Sequence, residues 1–144
     1  MYNNNDIDSH IVNICSQIDQ NIALYPDKDF GLVSQNVLDK LRRLVEYVAV
    51  KVCITKSAFK AEDFNSYESH HKAIVHVEHI GKEFSFLSTF WKRLNRVNSH
   101  VLIEDESAIR ILNGFLEYLY KIKKYLSDEC NIAVLKNLSK LSFL

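Results

Sequence analysis

The chain has 144 residues, 47% of them apolar and 25% charged, a composition that suits one globular domain rather than a disordered or fibrous protein. Lys+Arg and Asp+Glu both number 18, so overall charge singles out neither nucleic acid, membrane nor acidic substrate, and any electrostatic argument must be local. Three glycines and one proline leave too few sharp turns for a sandwich or barrel of many hairpins.

The elements follow in chain order. Ile7, Ile11, Ile14, Ile18 and Ile22 recur at helical spacing and predict a first amphipathic helix. Tyr25-Pro26-Asp27 ends it, because proline has no N–H and disfavours helix at the residue before it. Asp27 or Asp29 is placed to cap a second helix, whose stripe runs from Phe30 through Val37, Leu41, Leu44 and Val48 to Val52. The β-branched residues of 45–54 would suit a strand, but the unbroken register from Phe30 favours helix. On this reading Lys40, Arg42, Arg43 and Glu46 lie mostly off the stripe.

Residues 55–65 read as a mixed connection, and Ser66 as the N-cap of a third helix carrying Tyr67, His71, Ile74, Val75 and Val77. Gly81 stands where a left-handed C-terminal residue is expected. A fourth helix carries Phe84, Leu87, Phe90, Trp91, Leu94 and Val97. Glu104, Asp105 and Glu106 open a fifth, which runs from Ala108 to Leu126, with Lys121, Lys123 and Lys124 expected to complement the dipole near its far end. Ile132, Leu135, Leu138 and Leu141 predict a short sixth helix. The expected fold is therefore all-α, an antiparallel, up-and-down bundle of five to six helices in a single domain spanning 1–144. The chain stops at Leu-Ser-Phe-Leu, still apolar, as a boundary inside a longer protein would; a docked C-terminal segment fits equally well.

Chemistry is sparse. Cys15, Cys53 and Cys130 show no metal or disulfide spacing and read as buried small hydrophobes of a reducing compartment. No signal peptide or run of about 20 apolar residues is present, so a cytoplasmic location without membrane contact is expected. His70, His71, His76 and His79 crowd the third helix, yet the five-residue gap between His71 and His76 prevents all four from sharing one site. Without HExxH, GxSxG or a glycine-rich loop, no metal or other cofactor is expected. Tyr118, Tyr120 and Tyr125 interleave with Lys121, Lys123 and Lys124, a mixture that suits either nucleic-acid stacking or amphipathic side chains rimming a core.

Residues 92–100 hold the main candidate site. Between Phe84 and Ile103 there is no acid, while Lys92, Arg93 and Arg96 form a local positive field with Asn98 nearby. Six residues separate Arg93 from His100. An arginine can hold phosphodiester oxygens while a histidine a turn or two later moves a proton. Equally, Asn98 and Ser99 could end the helix with His100 donating to a turn carbonyl.

The order of Leu41-Arg42-Arg43-Leu44-Val45-Glu46, a variable helix, a basic helix ending in Asn98-Ser99-His100, and the long helix from Ala108 resembles the HEPN superfamily. The likeness covers residues 27–128 and is strongest to the HEPN-like N-terminal modules of prokaryotic restriction and superfamily-2 helicase proteins. The resemblance implies a helical bundle that commonly dimerises. Many members are metal-independent endoribonucleases using Arg-x(4–6)-His at the dimer cleft; others are RNA-binding or assembly modules. Arg93 and His100 fit the six-residue motif, but Leu94 stands where active members prefer a polar residue, which weighs against catalysis.

Three functions follow as expectations. The first is a non-catalytic accessory module of a helicase or nuclease system in phage defence, acting by dimerisation, docking or RNA or DNA contact, with the helicase or nuclease domain in cis or trans. The second is an endoribonuclease using Arg93 and His100. The third is an unrelated protein-interaction bundle.

Overall fold

The computed structural model describes residues 4–24, 30–57, 59–64, 67–98 and 105–141. Within them the fold is all-α, with no strand. Helices α1 (Asn4–Ala23), α2 (Phe30–Lys56), α3 (Tyr67–Val77), α4 (Ser85–Asn98), α5 (Asp105–Cys130) and the short α6 (Leu138–Leu141) follow the expected order. The expected caps Asp27, Asp29 and Ser66 lie outside the described residues.

Helix α2 is the axis of the molecule. It packs against α1, α3, α4 and α5, and the stretch 45–54 is helical rather than extended. Leu38, Leu41, Leu44, Val45, Val48, Ala49, Val50, Val52 and Cys53 are all buried, a set too broad for one face, as expected of a helix surrounded by others. The isoleucine stripe of α1 is buried against it from Ile7 to Ile22. This pair runs antiparallel, as Asp8 meets Lys51 while His10 stacks on Tyr47 further back along α2. Helices α4 and α5 are also antiparallel: Phe84 meets Tyr125 edge-on, and Phe90 packs on Tyr118 and Phe115.

Several local expectations are corrected. Val75 is 60% exposed; the buried face of α3 is His70, Ala73, Ile74 and Val77, the i, i+3, i+4, i+7 set that periodicity demands. Gly81 is extended, with φ 178°, rather than left-handed. There α3 ends through two i→i−3 bonds, from His79 N–H to the His76 carbonyl and from Ile80 N–H to the Val77 carbonyl. The connection after α2 contains a 3₁₀ turn, Ala61–Phe64, which seats Phe64 wholly in the core. Helix α5 continues past its lysines to Cys130, so its last turn contains no basic residue and does not complement the dipole as expected.

The sixth element is shorter than its apolar period suggests. Asn131, at φ 56°, turns the chain left-handed after α5, and the Ile132 N–H returns to the Leu126 carbonyl at 2.8 Å. Leu135 is also left-handed, at φ 58°, so residues 131–135 cannot be helix even though Leu135 and Leu138 are fully buried. Asp19 of α1 secures this segment. Its carboxylate accepts the backbone N–H groups of Lys136 and Asn137, each at 3.0 Å, and its own carbonyl accepts the Asn137 side-chain amide at 2.8 Å. A side chain from another helix thus supplies the acceptors that an N-cap residue ordinarily provides.

Asp19→Ala should remove both acceptors and lower stability by about 1–2 kcal/mol. Urea unfolding should show this shift, with earlier hydrogen exchange in residues 134–138 than in α2. Unchanged protection would mean that burial of Leu135 and Leu138 holds the segment by itself.

Candidate functional site

Helix α4 divides its residues sharply. Leu87, Phe90 and Leu94 face the core with no exposure, and Lys92, Arg93 and Arg96 project outward. Apolar residues at i, i+3 and i+7 on one side force the intervening cations to the other. The helix ends at Asn98, whereas Ser99 and His100 lie outside the described residues. The pairing of Arg93 with His100 therefore lies outside the described residues.

The positive field is less isolated than it looks along the chain. Glu78, just after α3, lies 3.5 Å from Lys92 and accepts a hydrogen bond from the Ser88 hydroxyl at 2.6 Å. That hydrogen bond, with Lys92 nearby, holds the Glu78 carboxyl below the usual carboxylate range. Arg93 turns the other way. Its guanidinium lies over the Tyr118 ring of α5, 5.5 Å from the centroid. Tyr118 in turn stacks on buried Phe90 at 4.9 Å and lies nearly parallel to Phe86, with centroids 6.3 Å apart. Lys121 sits over Phe86 at 5.5 Å. Two features far apart in sequence, the basic end of α4 and the tyrosine–lysine stretch of α5, thus share one surface.

That surface borders a groove of about 780 Å³ between the start of α4 and the second half of α5. Phe84 and Leu87 form its apolar floor, Phe86, Tyr118 and Tyr125 its aromatic wall, and lysines and acids its mouth. Tyr125 is propped by the edge of Phe84 and its hydroxyl lies 3.4 Å from that of Thr55. Burial raises its pKa above the ordinary value of 10.0, so the phenol stays neutral and able to donate.

A second polar cluster escaped the sequence reading. Glu46, counted off the α2 stripe, is only 3% exposed. It accepts a hydrogen bond from the Trp91 indole N–H at 3.3 Å, and the His71 and Arg42 nitrogens lie 3.7 and 3.9 Å away. Trp91 also packs edge-on against His71, so one carboxylate joins α2, α3 and α4. The available signal was Trp91 itself: an indole on an apolar stripe needs an acceptor when buried. Lys51 is similarly buried and is neutralised by Asp8 at 2.9 Å. His70 is buried beside Tyr47, and desolvation lowers its pKa despite the Glu46 charge and a hydrogen bond to the Phe64 backbone.

His10, His70, His71 and His76 all pack against aromatic rings. His76 meets Phe59 edge-on at 4.6 Å and His79 is exposed. Among the described residues no three His, Cys, Asp or Glu side chains gather as a metal site requires. Burial pushes the Cys15 and Cys53 thiols up to about 12, and Cys130 shifts up less, from a half-buried position. No described helix is long and apolar enough to cross a membrane. Comparison with family models, curated proteins and solved structures finds no match.

Glu46→Ala should cost about 1–3 kcal/mol, because the Trp91 N–H loses its acceptor in a part-buried site; urea unfolding and a shift of Trp91 emission would check this. The thiols predict an alkaline effect of definite sign. They stay neutral in the fold while the unfolded chain ionises above the ordinary 9.0, so stability falls as pH rises past that value. Urea unfolding from pH 7 to 10.5 should show the decline, and a Cys15→Ala/Cys53→Ala variant a shallower one.

Proposed function

We propose that this chain is a HEPN-like accessory module, without catalysis of its own, that contacts nucleic acid in the service of a helicase or nuclease system, in cis or in trans, in defence against phage. The observation that carries the reading is Arg93 held over Tyr118, which joins the exposed cations of α4 to the aromatic wall of α5. Arginine and lysine beside aromatic faces are the parts used to hold a single strand, the cations for phosphate and the rings for bases.

The non-catalytic choice rests on Leu94. Its side chain is fully buried, so the residue after Arg93 contributes packing where active relatives of this type prefer a polar group. Lys92, Arg93 and Arg96 are assigned to phosphate contact, with Asn98 beside them at the helix end. Homodimerisation is the expected assembly, on the strength of the family likeness.

Fluorescence anisotropy with labelled single-stranded RNA and DNA, at increasing salt, tests the reading. Affinity should fall steeply with salt, and an Arg93→Glu/Arg96→Glu variant should bind at least tenfold more weakly with a smaller salt slope. Equal binding by the variant and the parent protein would sink it. The same RNA incubated in EDTA should remain intact; cleavage lost in His100→Ala would establish the endoribonuclease instead.

A further inference from the structure

We infer that the groove between α4 and the second half of α5 is a stacking site for unpaired nucleobases, with the flanking phosphates held by Arg93 and Lys121. The inference rests on the nucleic-acid reading above and deepens it, since it names both the place of contact and the form of the ligand.

The size fits. A groove of about 780 Å³ lies within the range of roughly 300–1,000 Å³ typical of small-ligand sites. Its wall is built for planar groups. Phe86 and Tyr118 are both half-buried and only 5° from parallel, so a base laid against one ring meets the other in nearly the same orientation. Tyr118 is backed by Phe90, which has no exposure, so the position of the ring is set before a ligand arrives. Seven residues further along α5, about 10 Å by helical rise, Tyr125 offers a second half-buried ring.

The charges are sorted along the groove. Arg93 covers Tyr118 and Lys121 covers Phe86, each 5.5 Å from its ring, so a base that stacks there displaces these two exposed cations to its edge, within reach of its phosphates. Lys121 has Glu117 at 3.6 Å, an exposed pair that a phosphate can replace. The acids of the mouth, Glu83, Asp128 and Glu129, stand toward the opposite end, where Lys82 and Lys124 also line the groove and Lys56 answers Glu129 at 3.0 Å. The acids there are thus balanced by lysines, whereas the Phe86–Tyr118 end brings Arg93 and Lys121 together beside Glu117, which favours a polyanion at that end. A duplex hides its base faces inside the stack, so a single strand is the form that fits.

The test uses the full chain and three uridine octamers: one plain, one with central 2-aminopurine and one with a central abasic pair. Binding should quench the 2-aminopurine emission, and the abasic octamer should bind about tenfold more weakly than the plain one. Phe86→Ala and Lys121→Glu should each weaken the plain octamer several-fold; circular dichroism confirms the fold, and Lys121→Glu is an exposed change that leaves the core intact. Salt-sensitive binding that ignores Phe86→Ala, Lys121→Glu and the abasic gap, with no quenching, would overturn the groove assignment and leave the cationic face of α4 as the contact. Absence of octamer binding even at low salt would overturn both. Loss of a dimer in Phe86→Ala by sedimentation, with RNA affinity unchanged, would identify the groove as an interface between copies and also overturn the inference.

Discussion

Helix α2 has no exposed residue from Leu44 to Cys53, and the rest of the architecture follows from that. Its core residues, from Leu38 to Cys53, need partners in several directions, and α1, α3, α4 and α5 supply them. A helix so enclosed cannot bury a charge without an answer, because desolvating an ion costs several kcal/mol unless it is paired or hydrogen-bonded. Its two buried ionic residues each meet that demand. Lys51 takes Asp8 from α1, while Glu46 takes the Trp91 indole and the nitrogens of His71 and Arg42. These polar contacts tie α2 to α1, α3 and α4.

The candidate site is a consequence of the same arrangement. Trp91 turns inward toward Glu46 and Leu94 into the core, leaving Lys92, Arg93 and Arg96 outside. On the other side of α4, large rings bridge to α5: Phe84 to Tyr125, and Phe90 to Tyr118 and Phe115. Bridging by rings leaves a groove beside them, whereas small residues would let the two backbones close together. The groove and the cationic face thus meet at Tyr118, and the functional reading depends on that meeting.

The fold was legible where periodicity was long. Five isoleucines at helical spacing specify α1, and the register from Phe30 overrides the β-branched residues of 45–54 because one continuous helix keeps every backbone bond satisfied. It was less legible where the pattern was short. Val75 looked like a core residue until His70 and Ala73 took the inner face, and the apolar spacing of Ile132, Leu135 and Leu138 concealed two left-handed residues. Such turns arise from what the chain docks against, here the Asp19 carboxylate, and a local pattern has no access to that.

By itself the amino-acid sequence determined the helices, their order, the main apolar faces, and the cations that α4 carries toward solvent. Each depends on spacing within a single element, which a linear pattern records. Tertiary structure alone decided that Glu46 would be buried, that Glu78 would answer Lys92, and that Arg93 would rest on Tyr118 beside a groove. Those outcomes join residues 45, 14 and 25 positions apart. They follow from how helices cross and which rings fill the space between them, a matter of packing in three dimensions that no spacing along one helix encodes.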